Sequence, residues 1–151
     1  MSLYVVIKFA HIALAIIAVG FNASYGIWLA SVAREPSHGL FVLQGIKRLD
    51  DRFANPAYAL LLVTGLAMLI IGGIPLTTFW IAAALALYAV LIVLGLGVYT
   101  PTLRKQIALF EDDGPASPAY RRLASRGTLA GIVLAIDAVA IVFLMVAKPT
   151  L

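Results

Sequence analysis

The chain has 151 residues, of which 63% are hydrophobic and 12% charged, with a mean hydropathy of +1.04 and a net charge of +4. A water-soluble domain is about 45–50% apolar and about 25% charged, so this chain lacks the polar residues to cover a soluble fold and falls in the membrane class. The absence of cysteine excludes disulfides, thiolate metal sites and covalent c-type haem. No basic surface with interleaved aromatics is present to bind nucleic acid.

The first apolar segment covers about 3–33. Within it Lys8, His11, Ala15, Ala18, Asn22 and Tyr25 follow a 3–4–3–4–3 spacing, which places them on one helix face. Lipid exposure of ionisable and amide groups costs several kcal/mol, so this stripe is expected to face the bundle interior. Ser31-Val32-Ala33 imitates a signal-peptidase site, but the apolar run is too long and no basic region precedes it. An uncleaved span is therefore expected.

Pro36 ends the first helix, and a basic connection follows with Arg34, Lys47, Arg48 and Arg52. Val42, Ile46, Leu49 and Phe53 predict a short amphipathic helix at the membrane interface. Asn55-Pro56 reads as the cap and first residue of a second span, about 56–73. An uncharged turn at Gly72-Gly73-Ile74-Pro75 leads to a third span, about 76–99, where Tyr88, Ile92, Gly95 and Tyr99 form a stripe. Thr100-Pro101 reads as its end, and Leu103, Ile107 and Phe110 predict another short interfacial helix in a second basic connection. After a turn at Asp112-Asp113-Gly114-Pro115, Ser117-Pro118 opens the last helix, about 118–147. It carries Gly127-x-x-x-Gly131 and Asp137, the one acid inside a predicted span.

Crossing about 30 Å of hydrocarbon takes about 17–25 helical residues, and each segment is long enough. The fold class is thus an all-α integral membrane bundle of four transmembrane helices forming a single domain, 1–151. Both long connections are basic and the turn near Gly73 is uncharged, so the positive-inside rule puts both termini outside and both basic loops in the cytoplasm. The expected place is the bacterial inner membrane, crossed several times. Besides the lipid bilayer, Gly127/Gly131 offers a close-approach face for a homodimer, or the chain joins a larger membrane complex. Lys47-Arg48-Leu49-Asp50-Asp51-Arg52 and Arg121-Arg122-Leu123-Ala124-Ser125-Arg126 form a faint internal echo ahead of spans two and four.

Counting 1.5 Å per residue from the outer helix ends places His11 and Thr64 at ~12 Å, Asp137 at ~15 Å and Tyr88 at ~18 Å, with Lys8 a turn above. The expectation is a buried polar layer in which His11 or Lys8 approaches Asp137 directly, through water or through a bound ligand. No phosphate-binding loop, nucleophile elbow or zinc-binding helix motif is present, and no catalytic residue is assigned.

Lys8-Phe9-Ala10-His11-Ile12, Pro118-Ala119-Tyr120-Arg121-Arg122-Leu123 and Leu144-Met145-Val146-Ala147-Lys148-Pro149 resemble the marks of a bacterial family of small four-span membrane proteins described only as a domain of unknown function. The resemblance covers nearly the whole chain and implies the fold. Lys8-x-x-His11 alone is similar to the opening helix of HemJ-type protoporphyrinogen oxidases and CopD-type copper-resistance membrane proteins. In the HemJ type this histidine ligates haem b, with a lysine from a later helix as second ligand. That likeness implies His11 as a candidate haem iron ligand, with Lys8, Asp137 and Tyr88 around the cofactor. Spans two and three of this chain hold no lysine for the second position.

Three readings follow. In the first, the chain is a non-catalytic accessory or scaffold subunit whose buried polar layer fixes helix register. In the second, it binds haem b or a porphyrin through His11. In the third, it carries protons or a small solute through Asp137.

Overall fold

The computed structural model describes residues 2–150, and over those residues it is entirely helix and turn. Its helices are α1 (Leu3–Arg34), α2 (Gly39–Leu49), α3 (Asn55–Gly72), α4 (Phe79–Leu94), α5 (Thr100–Asp112) and α6 (Pro118–Ala147). A 3-10 turn at Pro36–His38 precedes α2. Asp50–Ala54 and Gly95–Tyr99 are π-helical turns.

Those π turns alter the reading of Asn55-Pro56 and Thr100-Pro101. Neither pair starts or stops a helix. Helix continues through both, giving runs of 37 residues (Pro36–Gly72) and 34 residues (Phe79–Asp112). Pro56 and Pro101 each lie two residues past a π turn. A proline inside a helix lacks the N–H for the turn behind it, and its ring collides with the carbonyl there. Widening that turn by one residue relieves the collision while the helix goes on. Accordingly the Asn55 N–H bonds to the Asp50 carbonyl and the Thr100 N–H to the Gly95 carbonyl, five residues back in each case.

Four helical runs are long and apolar enough to cross a membrane. α1 packs along α3, α4 along α6, and α1 against α6. Between α3 and α4, which share a tight turn, no close backbone approach occurs among the described residues. The turn itself needs Gly73, whose φ of 62° is left-handed, and the Ile74 N–H closes it onto the Leu69 carbonyl at 3.0 Å. Near the same end, the Lys148 ammonium lies 5.5 Å from the centre of the Trp80 ring.

The interior is built from small and aromatic residues: Ala18, Ala54, Ala57, Ala138, Tyr58 and Leu91 form its central cluster. Large apolar side chains point outward, among them Phe9, Ile16, Ile27, Ile70 and Val146. That inversion suits a bilayer, where lipid covers Ile and Phe as well as protein does and small residues let backbones pack closely.

At the loop end a second cluster joins the elements. α2 and α5 are the two short helices expected between the spans. Their apolar faces turn toward each other and toward α1 and α6, burying Leu43 and Ile46 of α2 and Leu103 of α5 with Tyr25, Tyr99 and Tyr120. Phe110 meets the Tyr120 ring edge-on, with centroids 5.3 Å apart.

Gly39, the first residue of α2, marks the tightest contact. A Cβ there would lie 2.6 Å from Phe110 Cε2 and 3.0 Å from Val32 Cγ1. Gly39→Ala is expected to destabilise the protein by about 1–3 kcal/mol through overpacking. Gly45→Ala, in the same helix with nothing within 4 Å of its added Cβ, is expected to be neutral or mildly stabilising. Thermal unfolding of both variants in detergent checks the contrast.

Candidate functional site

His11 sits in the α1–α3 contact. Its Nδ1 lies 2.8 Å from the Thr64 hydroxyl, and a Cβ added at Gly65 would approach its Cε1 to 3.2 Å. Thr64 already directs its own proton to the Leu60 carbonyl at 2.7 Å. The hydroxyl oxygen is therefore placed to accept from Nδ1–H of His11, and in the neutral ring that arrangement puts the lone pair on Nε2.

One helical face farther along α1, Asn22 Nδ2 donates to the Tyr58 hydroxyl of α3. From α4, the Tyr88 phenol donates to the Tyr58 carbonyl at 2.6 Å, spanning the space where the α3 and α4 backbones stay apart. Asp137 is 8% exposed, and its Oδ2 has no hydrogen-bond partner among the described residues.

His11 and Lys8 make no direct contact of this kind with Asp137. No hydrogen bond or ion pair joins them; the salt bridge among the described residues is Lys47–Asp51. Lys8 is exposed near the start of α1 and does not share the interior face. His11 turns toward α3, because the missing side chain at Gly65 makes room for the ring and Thr64 supplies its acceptor. The interior stripe of α1 thus runs from His11 through Ala18 to Tyr25.

The Gly127/Gly131 face is likewise used inside the chain. A Cβ at Gly127 would lie 3.4 Å from Gln106 Oε1 and 3.5 Å from Thr102 Cγ2, and one at Gly131 would lie 3.7 Å from Tyr99 Cε2. The glycines that suggest a homodimer seam let α6 close on the other end of its own chain's α4–α5 run.

A polar cavity of about 30 Å³ lies between the two π turns. Asp50 and Asn55 reach it from one turn, Tyr99 and Thr100 from the other, and Asn22 and Tyr58 from above. Asp50 is 5% exposed; it accepts from Asn55 Nδ2 at 3.3 Å and lies beside the Thr100 hydroxyl. Sequence reasoning misses this group, since Asp50 sits in a run of loop charges. The available signal is a polar residue directly before proline at the basic-loop end of both middle spans.

The family model described as "Predicted integral membrane protein (DUF2269)" matches residues 5–149. The chain belongs to this family. No curated protein and no solved structure matches it. For this DUF2269 protein the geometry offers two polar groupings, His11 with Thr64 near the termini and the Asp50 cavity near the basic loops.

Double-mutant cycles separate real partners from residues at similar depth. His11→Ala with Thr64→Val is expected to show coupling of about 0.5–1.5 kcal/mol, the value of one hydrogen bond. His11→Ala with Asp137→Asn is expected to be additive within about 0.5 kcal/mol. Thermal stability of the single and double variants in detergent gives both numbers.

Proposed function

We propose that this protein is a non-catalytic scaffold or accessory subunit in the bacterial inner membrane, with its basic loops in the cytoplasm and its termini outside. The observation that carries the reading is how the buried polar side chains are used. His11–Thr64 and Asn22–Tyr58 tie α1 to α3, and Tyr88–Tyr58 ties α4 to α3. Gln106 donates to Tyr120 at 3.3 Å between α5 and α6, and at the surface Gln44 donates to Glu111 at 3.1 Å between α2 and α5.

In a bilayer such bonds add about 0.6 kcal/mol each, too little to dominate stability. Their effect on register is larger. Rotating one helix by a single residue turns its polar groups about 100° and strands them unpaired. A bundle with its register fixed in this way is suited to present a constant surface to lipid and to neighbouring membrane proteins.

One observation favours a second reading, ligation of haem b by His11. Donation from Nδ1–H to Thr64 would leave Nε2 as the lone-pair nitrogen, an arrangement suited to a metal-bound histidine. Haem would supply redox chemistry there, while the chain orients the imidazole. Against this, the ring is pressed onto α3 at Gly65, and α3 and α4 bring no lysine as a second ligand.

The visible spectrum of protein purified in detergent from haem-replete cells decides between them. The scaffold reading expects no Soret band, with or without added haemin. A Soret band lost in His11→Ala and kept in His38→Ala would establish the haem reading instead. Orientation is tested separately, since the chain has no cysteine. Single cysteines at Ser37 and Ser117 are expected to be shielded from an impermeant thiol reagent on intact cells, and one at Gly73 to react. The opposite pattern would invert the topology.

A further inference from the structure

Asp50 is a buried carboxylate that forms no ion pair among the described residues. Lys47, one turn earlier, is paired with Asp51 and acts on Asp50 only from a distance. Taking a carboxylate out of water is costly, and the hydrogen bond from Asn55 with the neighbouring Thr100 hydroxyl offsets only part of that cost.

The surroundings are rich in oxygen that is free to coordinate. Asn22 uses its Nδ2 on Tyr58, and Asn55 uses its Nδ2 on Asp50, so both amide oxygens remain available. The Thr100 hydroxyl lines the same cavity. Pro101 has no N–H to give to the π turn behind it, which deprives a carbonyl of the Leu96–Gly97 turn of its backbone donor, and Leu96 also lines the cavity. Outside the cavity lining, the Tyr25 phenol is 3% exposed and has no hydrogen-bond partner among the described residues, and it lies near Asp50, Tyr58 and Tyr99.

We infer that this cavity is a binding site for a monovalent metal cation of the sodium or potassium class, with Asp50 as the charged ligand and Asn22, Asn55 and Thr100 as neutral oxygen ligands. Charge selects the class. One carboxylate balances one positive charge, whereas a calcium or magnesium site would draw on more acidic groups. The polar part of the lining is Asp, Asn, Thr and Tyr oxygen, set beside Leu91, Ile92 and Leu134, and oxygen donors without a grouping of histidines or acids are wrong for transition metals. Size agrees, because about 30 Å³ holds a single ion or a water or two. Disrupted helices suit the task, since interrupted helical turns expose backbone carbonyls to a cation at membrane depth. The site is independent of the scaffold and haem readings, whose outcome rests on His11 and the visible spectrum.

Thermal unfolding of the full-length protein in detergent tests the inference, with sodium or potassium chloride titrated against choline chloride at constant ionic strength. Binding to the folded state raises Tm with cation concentration beyond the dissociation constant, and choline does not reproduce the rise. Asp50→Asn is expected to abolish the metal-specific rise, while Asp113→Asn, in the turn after α5, leaves it intact. Thr100→Val is expected to shift the midpoint to about tenfold higher cation, the scale of one lost hydrogen-bond-like contact. Equal Tm curves in metal chloride and choline chloride, indicating a cavity holding water alone, would overturn the site. So would a metal-specific rise that survives in Asp50→Asn. Should Asp50→Asn fail to fold, an unchanged midpoint in Thr100→Val would do the same.

Discussion

Inside a bilayer a side chain gains nothing by hiding from lipid, so the four spans cannot be held together by burying large apolar residues. What remains is close backbone approach and hydrogen bonding between helices. The core follows from this constraint. Ala18, Ala54, Ala57, Ala84 and Ala138 are all nearly inaccessible, while Phe9, Ile27, Ile70 and Phe143 face outward. Tyrosine is the other recurring interior residue, at positions 25, 58, 99 and 120. Its ring fills the volume that alanine leaves, and its hydroxyl can reach a neighbouring helix.

The loop end obeys different physics, because there water competes for the surface. α2 and α5 are amphipathic and bury Leu43, Ile46 and Leu103 against α1, α6 and each other. The two regimes meet at the π turns. By letting each middle helix continue past a proline, the wide turns couple a lipid-embedded segment rigidly to one that reaches the loop region. Chain order then forms a palindrome. A long helix, a short one, a π turn and a span are followed by a span, a π turn, a short helix and a long one. Span order in this symmetry runs backward through the second half, whereas the faint echo of Lys47–Arg52 and Arg121–Arg126 suggests a forward repeat.

Much of this was legible in the sequence. Hydropathy and the clustering of arginine and lysine define the four spans, and the 3–4 spacing on α1 marks the face from His11 to Tyr25. The points left open share a cause. Depth along a helix can be counted from the sequence, but the neighbour a residue faces cannot. His11 and Asp137 lie at similar depth, yet Gly65 opens a place for the imidazole on α3. Gly127 and Gly131 announce close packing without saying whether the partner is another molecule or the chain's own α4–α5 run. Asn-Pro and Thr-Pro were ambiguous for a different reason. A proline that starts a helix and one that sits past a π turn look alike until the preceding turn is known.

The packing also bears on whether anything crosses this bundle. Along α1, His11 and Asn22 are about 16 Å apart at 1.5 Å per residue. Between them Ala18 is 0% exposed, with Leu14, Leu61 and Leu134 packed around the same cluster. Asp137 lies in α6 next to Ala138 of that cluster, with its Oδ2 unpartnered among the described residues. The cluster, which also holds Tyr58 with Tyr88 packed against it, lies between His11 and the Asp50 cavity. A cation held at Asp50 therefore exchanges from the loop end, where the cavity lies, and its effect is on the rigidity of the two wide turns. The same ion would brace both bent helices at once, since Asp50 and Thr100 come from different turns. That is a structural task, and it fits a protein in which His11, Asn22, Tyr58 and Tyr88 are used to hold helices in register.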